Sequence, residues 1–221
     1  MLGTLGFCAA ALAFLAYAYS SGKIANKPQF AIKSYRLAYM AAGIASLIWA
    51  VGTLAGNSTL EAFVLAGDAF IMAATVLLLR TVVPAKDANL ASGAVAIVLA
   101  GALFWRAVDS GADPVLRDNI LVFNTPRPFA AFLAIVLLLI WVRANVCFYR
   151  KVVASTLKSD VLRYSYFIPN IMAFVGISSF LFAERSLTIV LGFATVIVAF
   201  LILTGFNYAV VSAVRKGAHH G

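Results

Sequence analysis

Apolar residues in this chain come in long blocks separated by short polar stretches. Seven such blocks run Leu2–Tyr19, Tyr35–Ala55, Leu60–Val83, Ala88–Val108, Phe129–Tyr149, Arg163–Ala183 and Leu187–Val211. Each comes close to the roughly 20 residues that a helix needs to cross the hydrocarbon core of a bilayer. In lipid the backbone has no water to bond to, so a spanning segment satisfies its N–H and C=O groups internally, as a helix. Strands of a membrane barrel would alternate apolar and polar residues over about ten positions, and no block does so. The pattern predicts an all-α polytopic membrane protein, a single domain of seven transmembrane helices over residues 1–221.

Composition agrees: 63% of the 221 residues are hydrophobic and 11% charged, against about 25% charged in a soluble domain. The net charge of +9 would suggest a nucleic-acid partner, but its distribution points to topology instead. Lys23, Lys27, Lys33, Arg36, Arg80, Lys86, Arg143, Arg150, Lys151, Lys158, Arg163, Arg215 and Lys216 fall on one side of the alternating spans. Arg106, Arg117, Arg127 and Arg185 fall on the other, beside Glu61, Asp109, Asp113, Asp118 and Glu184. Basic residues collect on the cytoplasmic side of membrane proteins, so the N-terminus is expected outside and the C-terminus in the cytoplasm. No nucleic-acid partner is expected. The bilayer is the first partner, its anionic head groups meeting the basic side. The first block has no basic residue before it, unlike a secretory signal, and reads as an uncleaved span. The alanine-rich composition suggests a prokaryotic inner (plasma) membrane.

The longest connection, Asp109–Arg127, lies outside. Asp113 followed by Pro114 resembles a helix N-cap and first helical residue. Leu116, Ile120 and Leu121 would then share one face of a short interfacial helix, ended by Pro126 and Pro128. That segment reads either as a cap over an external opening or as a loop tucked onto the bundle.

Small residues let helices approach closely in lipid. Ala38, Ala42 and Ala45 line the second span, Gly52 and Gly56 form a GxxxG, Ala62, Ala66, Ala69 and Ala73 stripe the third, and Gly93 and Gly101 sit in the fourth. Spans two to four are therefore expected to form a tight core. Spans five and seven, with bulky runs such as FLAIVLLLIWV, are expected to face lipid or other membrane subunits. An offset of 127 residues aligns Arg36 with Arg163 and Tyr39 with Tyr166, too little in so biased a composition to establish an internal repeat.

The chemistry available is sparse. Asp68 lies inside the third span, about 12 Å from its outer end at 1.5 Å per residue. An ionised acid at such depth costs about 3 kcal/mol or more and is ordinarily paired or facing a wet cavity. Glu61, Asp68 and Thr75 recur every seven residues and share a face, and Arg106, beside Trp105, is the expected partner. This group reads as a ligand or ion site, or as a structural ion pair. A second polar set gathers toward the cytoplasm: Arg143 and Asn145 in span five, Pro169 and Asn170 in span six, Asn207 and Tyr208 in span seven. Pro169 frees the carbonyl of Ser165 and would kink its helix, so this set reads as a hinge with a polar vestibule, or as interhelical glue.

Several chemistries have no residues to carry them. His219 and His220 lie in the tail, so no histidine sits in a span to bind haem or a metal. All seven lysines lie in loops or tail, which leaves no place for a retinal Schiff base. Cys8 and Cys147 fall near opposite faces and read as unpaired apolar residues. No catalytic residues, metal or cofactor are expected. Three roles remain: a non-catalytic subunit or binding module docking within a larger membrane assembly; a small carrier or channel for a solute or proton using Asp68; or a seven-span sensor without an output domain.

Overall fold

The computed structural model describes residues 2–24, 30–83, 87–108, 113–150, 160–182 and 185–218. They form seven helices: α1 (Leu2–Ile24), α2 (Phe30–Ala55), α3 (Asn57–Val82), α4 (Ala88–Val108), α5 (Arg127–Phe148), α6 (Asp160–Phe182) and α7 (Ser186–Ala218). Among the described residues, six of the seven are long and apolar enough to cross a membrane; α6, of 23 residues, has Pro169 inside it. Several helices run past their apolar blocks, because the block marks the hydrocarbon slab while the helix continues into the interface. Lys27, Lys86, Lys151, Lys158, Glu184, His219, His220 and the start of the external loop (109–112) lie outside the described residues.

The helices enclose a common interior. α1, α2, α3, α5, α6 and α7 follow one another around it, with α7 closing back on α1, while α4 packs chiefly on α3. The start of α1, the α2–α3 turn and the segment between α4 and α5 share one end, called outer in keeping with the charge bias; Lys23, Arg36, Arg80 and Arg163 sit toward the other, inner end. A belt of large apolar side chains faces outward, including Ile97 and Phe104 on α4, Ile135 and Leu139 on α5, Ile171 and Val175 on α6, and Leu191 and Leu201 on α7. Soluble monomers seldom expose apolar patches beyond a few hundred Å². A belt of this kind is suited to acyl chains, and the chain is an all-α, polytopic integral membrane protein.

The external connection differs from the helix expected there. Val115–Arg117 (β1) and Ile120–Val122 (β2) pair antiparallel, with Leu116 opposite Leu121 and Arg117 opposite Ile120. Asp118 and Asn119 join them with φ of 52° and 59°. A two-residue turn with positive φ at both positions matches the right-handed twist of paired strands, and Asp and Asn tolerate that conformation better than most residues. Spacings of three and four over so few residues could not separate helix from strand, and the Asp-Asn turn decided it. The hairpin is pressed onto the outer end of the bundle. Ile120, Leu121 and Val122 are all buried, and Gly3 of α1 lets the Asn119 carbonyl approach so closely that a Cβ there would lie 2.6 Å from it.

The core also differs from the expected one. Ala38, Ala42 and Ala45 of α2 are buried, but the stripe Ala62, Ala66, Ala69 and Ala73 faces outward, and nothing lies within 4 Å of a Cβ built at Gly93 or Gly101. Gly56 is no packing residue: with φ 85° it forms the single-residue break between α2 and α3, while Gly52 packs against Phe63. α7 faces outward on one side only, through Leu187, Leu191 and Leu201. Ile189, Phe193, Val196, Phe200, Leu203 and Phe206 put its bulky face into the interior, where the Phe200 ring meets Phe14 tilted and Tyr17 edge-on. Smallness alone does not fix which face turns inward; on α7 the large side chains fill the middle of the bundle.

α6 and α7 approach each other closely at a pair of glycines. A Cβ at Gly176 would stand 2.7 Å from Val196 Cγ2 and 2.9 Å from the Gly192 carbonyl oxygen. Overpacking such a contact costs about 1–3 kcal/mol. Gly176→Leu is therefore expected to lower the melting midpoint in detergent by several degrees, and Gly93→Ala to leave it unchanged or raised, as followed by thermal unfolding.

Candidate functional site

Two polar groups, one toward each end of the bundle, frame an apolar interior. At the outer end α3 and the antiparallel α4 bring Asp68 and Arg106 together, with Arg106 Nη1 2.5 Å from Asp68 Oδ2. Only 8% of the Arg106 side chain and 14% of that of Asp68 is exposed. Arg106 Nη2 donates to the Phe123 carbonyl at 3.0 Å, and the guanidinium lies 5.7 Å from the Phe123 ring. One arginine thus fastens α3, α4 and the chain leaving the hairpin. Phe123 in turn packs among Phe7 of α1 and Trp49 of α2. Of the heptad-spaced face, Asp68 and Thr75 line the interior, whereas Glu61 is exposed at the rim. The Thr75 hydroxyl donates to the Ile71 carbonyl of its own helix at 2.9 Å.

At the inner end Asn145 is the hub. Its Oδ1 accepts from the Tyr35 hydroxyl at 2.6 Å and from the Tyr166 hydroxyl at 2.9 Å, and Tyr17 stands 2.8 Å from Tyr35. The Asn145 amide donates to the Trp141 carbonyl, and Trp141 Nε1 donates to the Tyr39 hydroxyl at 2.8 Å. These bonds join α1, α2, α5 and α6. Asn207 extends the set to α7, donating to Ser20 of α1 at 3.0 Å, while Ser20 bonds the Tyr17 carbonyl. The other residues of the expected inner set stand apart. Asn170 donates to the Tyr166 carbonyl of its own helix at 2.8 Å, next to the carbonyl that Pro169 leaves without its usual donor, and α6 runs on through Pro169 as one helix. Arg143 is exposed, and Tyr208 is 45% exposed with the Lys23 ammonium 5.5 Å from its ring.

The tyrosines were not singled out in the sequence, although a signal exists. Tyr35 and Tyr39, Trp141 and Asn145, and Tyr166 and Asn170 are each four residues apart, so each pair lies on one face of its helix. Trp141 lies in the middle of its apolar block, away from the interfacial belts that tyrosine and tryptophan usually occupy, which points to a buried partner.

Between the two groups lies a cavity of about 180 Å³, bordered by all seven helices and by Phe123. It runs from Trp49 to Ala38 along α2 and from Asp68 to Leu78 along α3, roughly 15 Å at 1.5 Å per residue. Its walls are aliphatic and aromatic, Phe14, Leu137, Phe174 and Val196 among them. Among the described residues, the one acid and the one base that line it, Asp68 and Arg106, are paired. Among known proteins, no family, no characterised protein and no solved structure matches this chain.

Removing one partner of a buried ion pair leaves the other unpaired, at about 3–5 kcal/mol, whereas replacing both with apolar residues is often close to neutral. Arg106→Met is thus expected to destabilise strongly, and the double variant Asp68→Leu/Arg106→Met to recover most of the loss, in thermal unfolding in detergent. Asn145→Leu takes the acceptor from two buried hydroxyls. An orphaned buried donor costs about 1–3 kcal/mol, so Asn145→Leu should melt well below Tyr166→Phe, which removes a single donor.

Proposed function

We propose that this protein is a non-catalytic binding module of the membrane, a seven-helix container for a small, uncharged, lipid-soluble molecule. The observation that carries this reading is the central apolar cavity, with polar groups confined to its ends and charges cancelled within it. An apolar hole of about 150 Å³ takes benzene, and this cavity, which is partly open to its surroundings, offers about 180 Å³. The hairpin and the Arg106 clasp cover its outer end and the tyrosine–asparagine network its inner end, an arrangement suited to holding a molecule rather than passing ions. Transport coupled to Asp68 would require that carboxylate to leave Arg106, which makes a carrier the lesser reading. Within a larger membrane assembly, docking falls to the outward faces of α5, through Ile135, Leu139 and Val142, and of α7, through Leu187, Leu191 and Leu201. The alanine-rich composition supports a prokaryotic plasma membrane as its location.

The test is ligand-dependent unfolding of the purified chain in mild detergent. Benzene and indane are expected to raise the melting midpoint of the parent protein and to leave that of Ala42→Phe, which fills the cavity from α2, unchanged. Midpoints that respond equally in both proteins would remove the cavity as the binding place.

A further inference from the structure

Resting on the cavity reading, we propose that the molecule held in the cavity is a single unbranched hydrocarbon chain, which enters sideways from the outer half of the bilayer through a slot between α4 and α5. The cavity is long and narrow. About 180 Å³ is spread along the roughly 15 Å set by the rise of α2 and α3, a shape that a chain fills better than a ring of equal carbon number. Both ends are covered, the outer by Arg106 and Phe123 and the inner by the bonds around Asn145, so the way in lies through a side wall. Among the described residues, α4 and α5 each pack along α3 but scarcely meet each other. Toward the inner end α3 and α5 are joined, with the Cys147 thiol donating to the Thr81 carbonyl at 3.3 Å. Toward the outer end both α4 and α5 border the cavity, through Leu99, Ala102 and Leu103 on one and Leu133, Ala134 and Leu137 on the other. α4 runs toward the outer end and α5 away from it, so these residues lie in the same half of the bilayer. Phe104 and Phe132, beside them in the sequence, are exposed on the outside of the bundle. The slot faces hydrocarbon rather than water, for every residue from Gly93 to Phe104 and from Phe129 to Ile140 is apolar. Water in the bore would find few polar partners, whereas a chain gives the walls the dispersion contacts that an empty space denies them. Surplus chain trails through the slot into the bilayer, where a methylene is as well accommodated as inside.

Dodecane and cyclododecane share a carbon number and differ in shape, and hexadecane, when extended, is longer than the cavity. Binding of each to the full chain in nanodiscs can be read by ligand-dependent melting at matched mole fraction in the lipid. Forcing a wide ring into a narrow bore carries the cost of overpacking, equivalent to about a fivefold or greater difference in affinity, in favour of dodecane. Hexadecane is expected to bind as well as dodecane, because its surplus methylenes stay in the bilayer; a sealed cavity would reject it. Ala42→Phe, which narrows the bore from α2, should abolish the response to both chains. Cyclododecane binding as well as dodecane, or hexadecane binding much more weakly, overturns the proposal and leaves the cavity reading standing. A response to benzene with none to either chain does the same. Chain binding undiminished in Ala42→Phe removes the cavity as its place and overturns the proposal, and silence toward every probe, benzene included, overturns both readings. If Ala42→Phe does not fold, the ratios in the parent protein decide the matter alone.

Discussion

A polar atom inside hydrocarbon has no solvent to fall back on, and leaving it unpartnered costs several kcal/mol. That constraint organises this molecule at every level. It makes each span a helix, because only a helix bonds its own backbone. It draws Arg106 down toward Asp68, and then toward the Phe123 carbonyl, until the guanidinium is shared among α3, α4 and the hairpin exit. It gathers the hydroxyls of Tyr17, Tyr35 and Tyr166 around Asn145 and sets the Trp141 N–H on the hydroxyl of Tyr39. The same constraint leaves the space between the two groups apolar, since any further polar side chain there would have needed a partner of its own.

The two clasps differ in kind. The outer one is ionic and ties a hairpin that arrives from outside the bundle, so it fixes how the cavity is covered. The inner one is built of neutral groups, and its hydroxyls and amides can both donate and accept, so it spans several helices at once. Asn207 shows the same economy, bonding α7 to Ser20 of α1 where the last helix closes on the first. Hydrophobic burial contributes little to holding helices together in lipid, and packing contacts with polar bonds take over. Gly176 against Gly192, and Gly52 against Phe63, supply the packing; the two polar groups supply the bonds.

Burial on α3 and α7 shows why patterns of residue size mislead in a membrane. In water, a small or apolar stripe seeks the core because the alternative is solvent. In lipid, an alanine stripe such as Ala62–Ala73 loses little by facing acyl chains, and a phenylalanine such as Phe193 gains by filling the centre of the bundle, where it meets Phe7 and Phe180. Which face turns inward is then settled by where the polar groups must go. On α3 the inward face carries Asp68 and Thr75; on α7 it carries Asn207.

The sequence by itself determined the number of spans, the sense in which they alternate, and the position of Asp68 and Arg106 at similar depth on neighbouring helices. Those follow from segment length, flanking charge and helical rise, which are local quantities. Legible too, though only as pairs of residues four apart, was the polar face that Tyr35, Trp141 and Tyr166 place on their helices. Tertiary structure alone decided that the external hairpin presses onto the outer end of the bundle, that α4 lies at the margin, and that polar side chains of α1, α2 and α6 converge on Asn145 of α5. It also decided that a cavity remains at the centre. These features depend on how helices rotate about their own axes and which neighbours they meet, and an apolar span contains no instruction for that beyond the few polar atoms that must find one another.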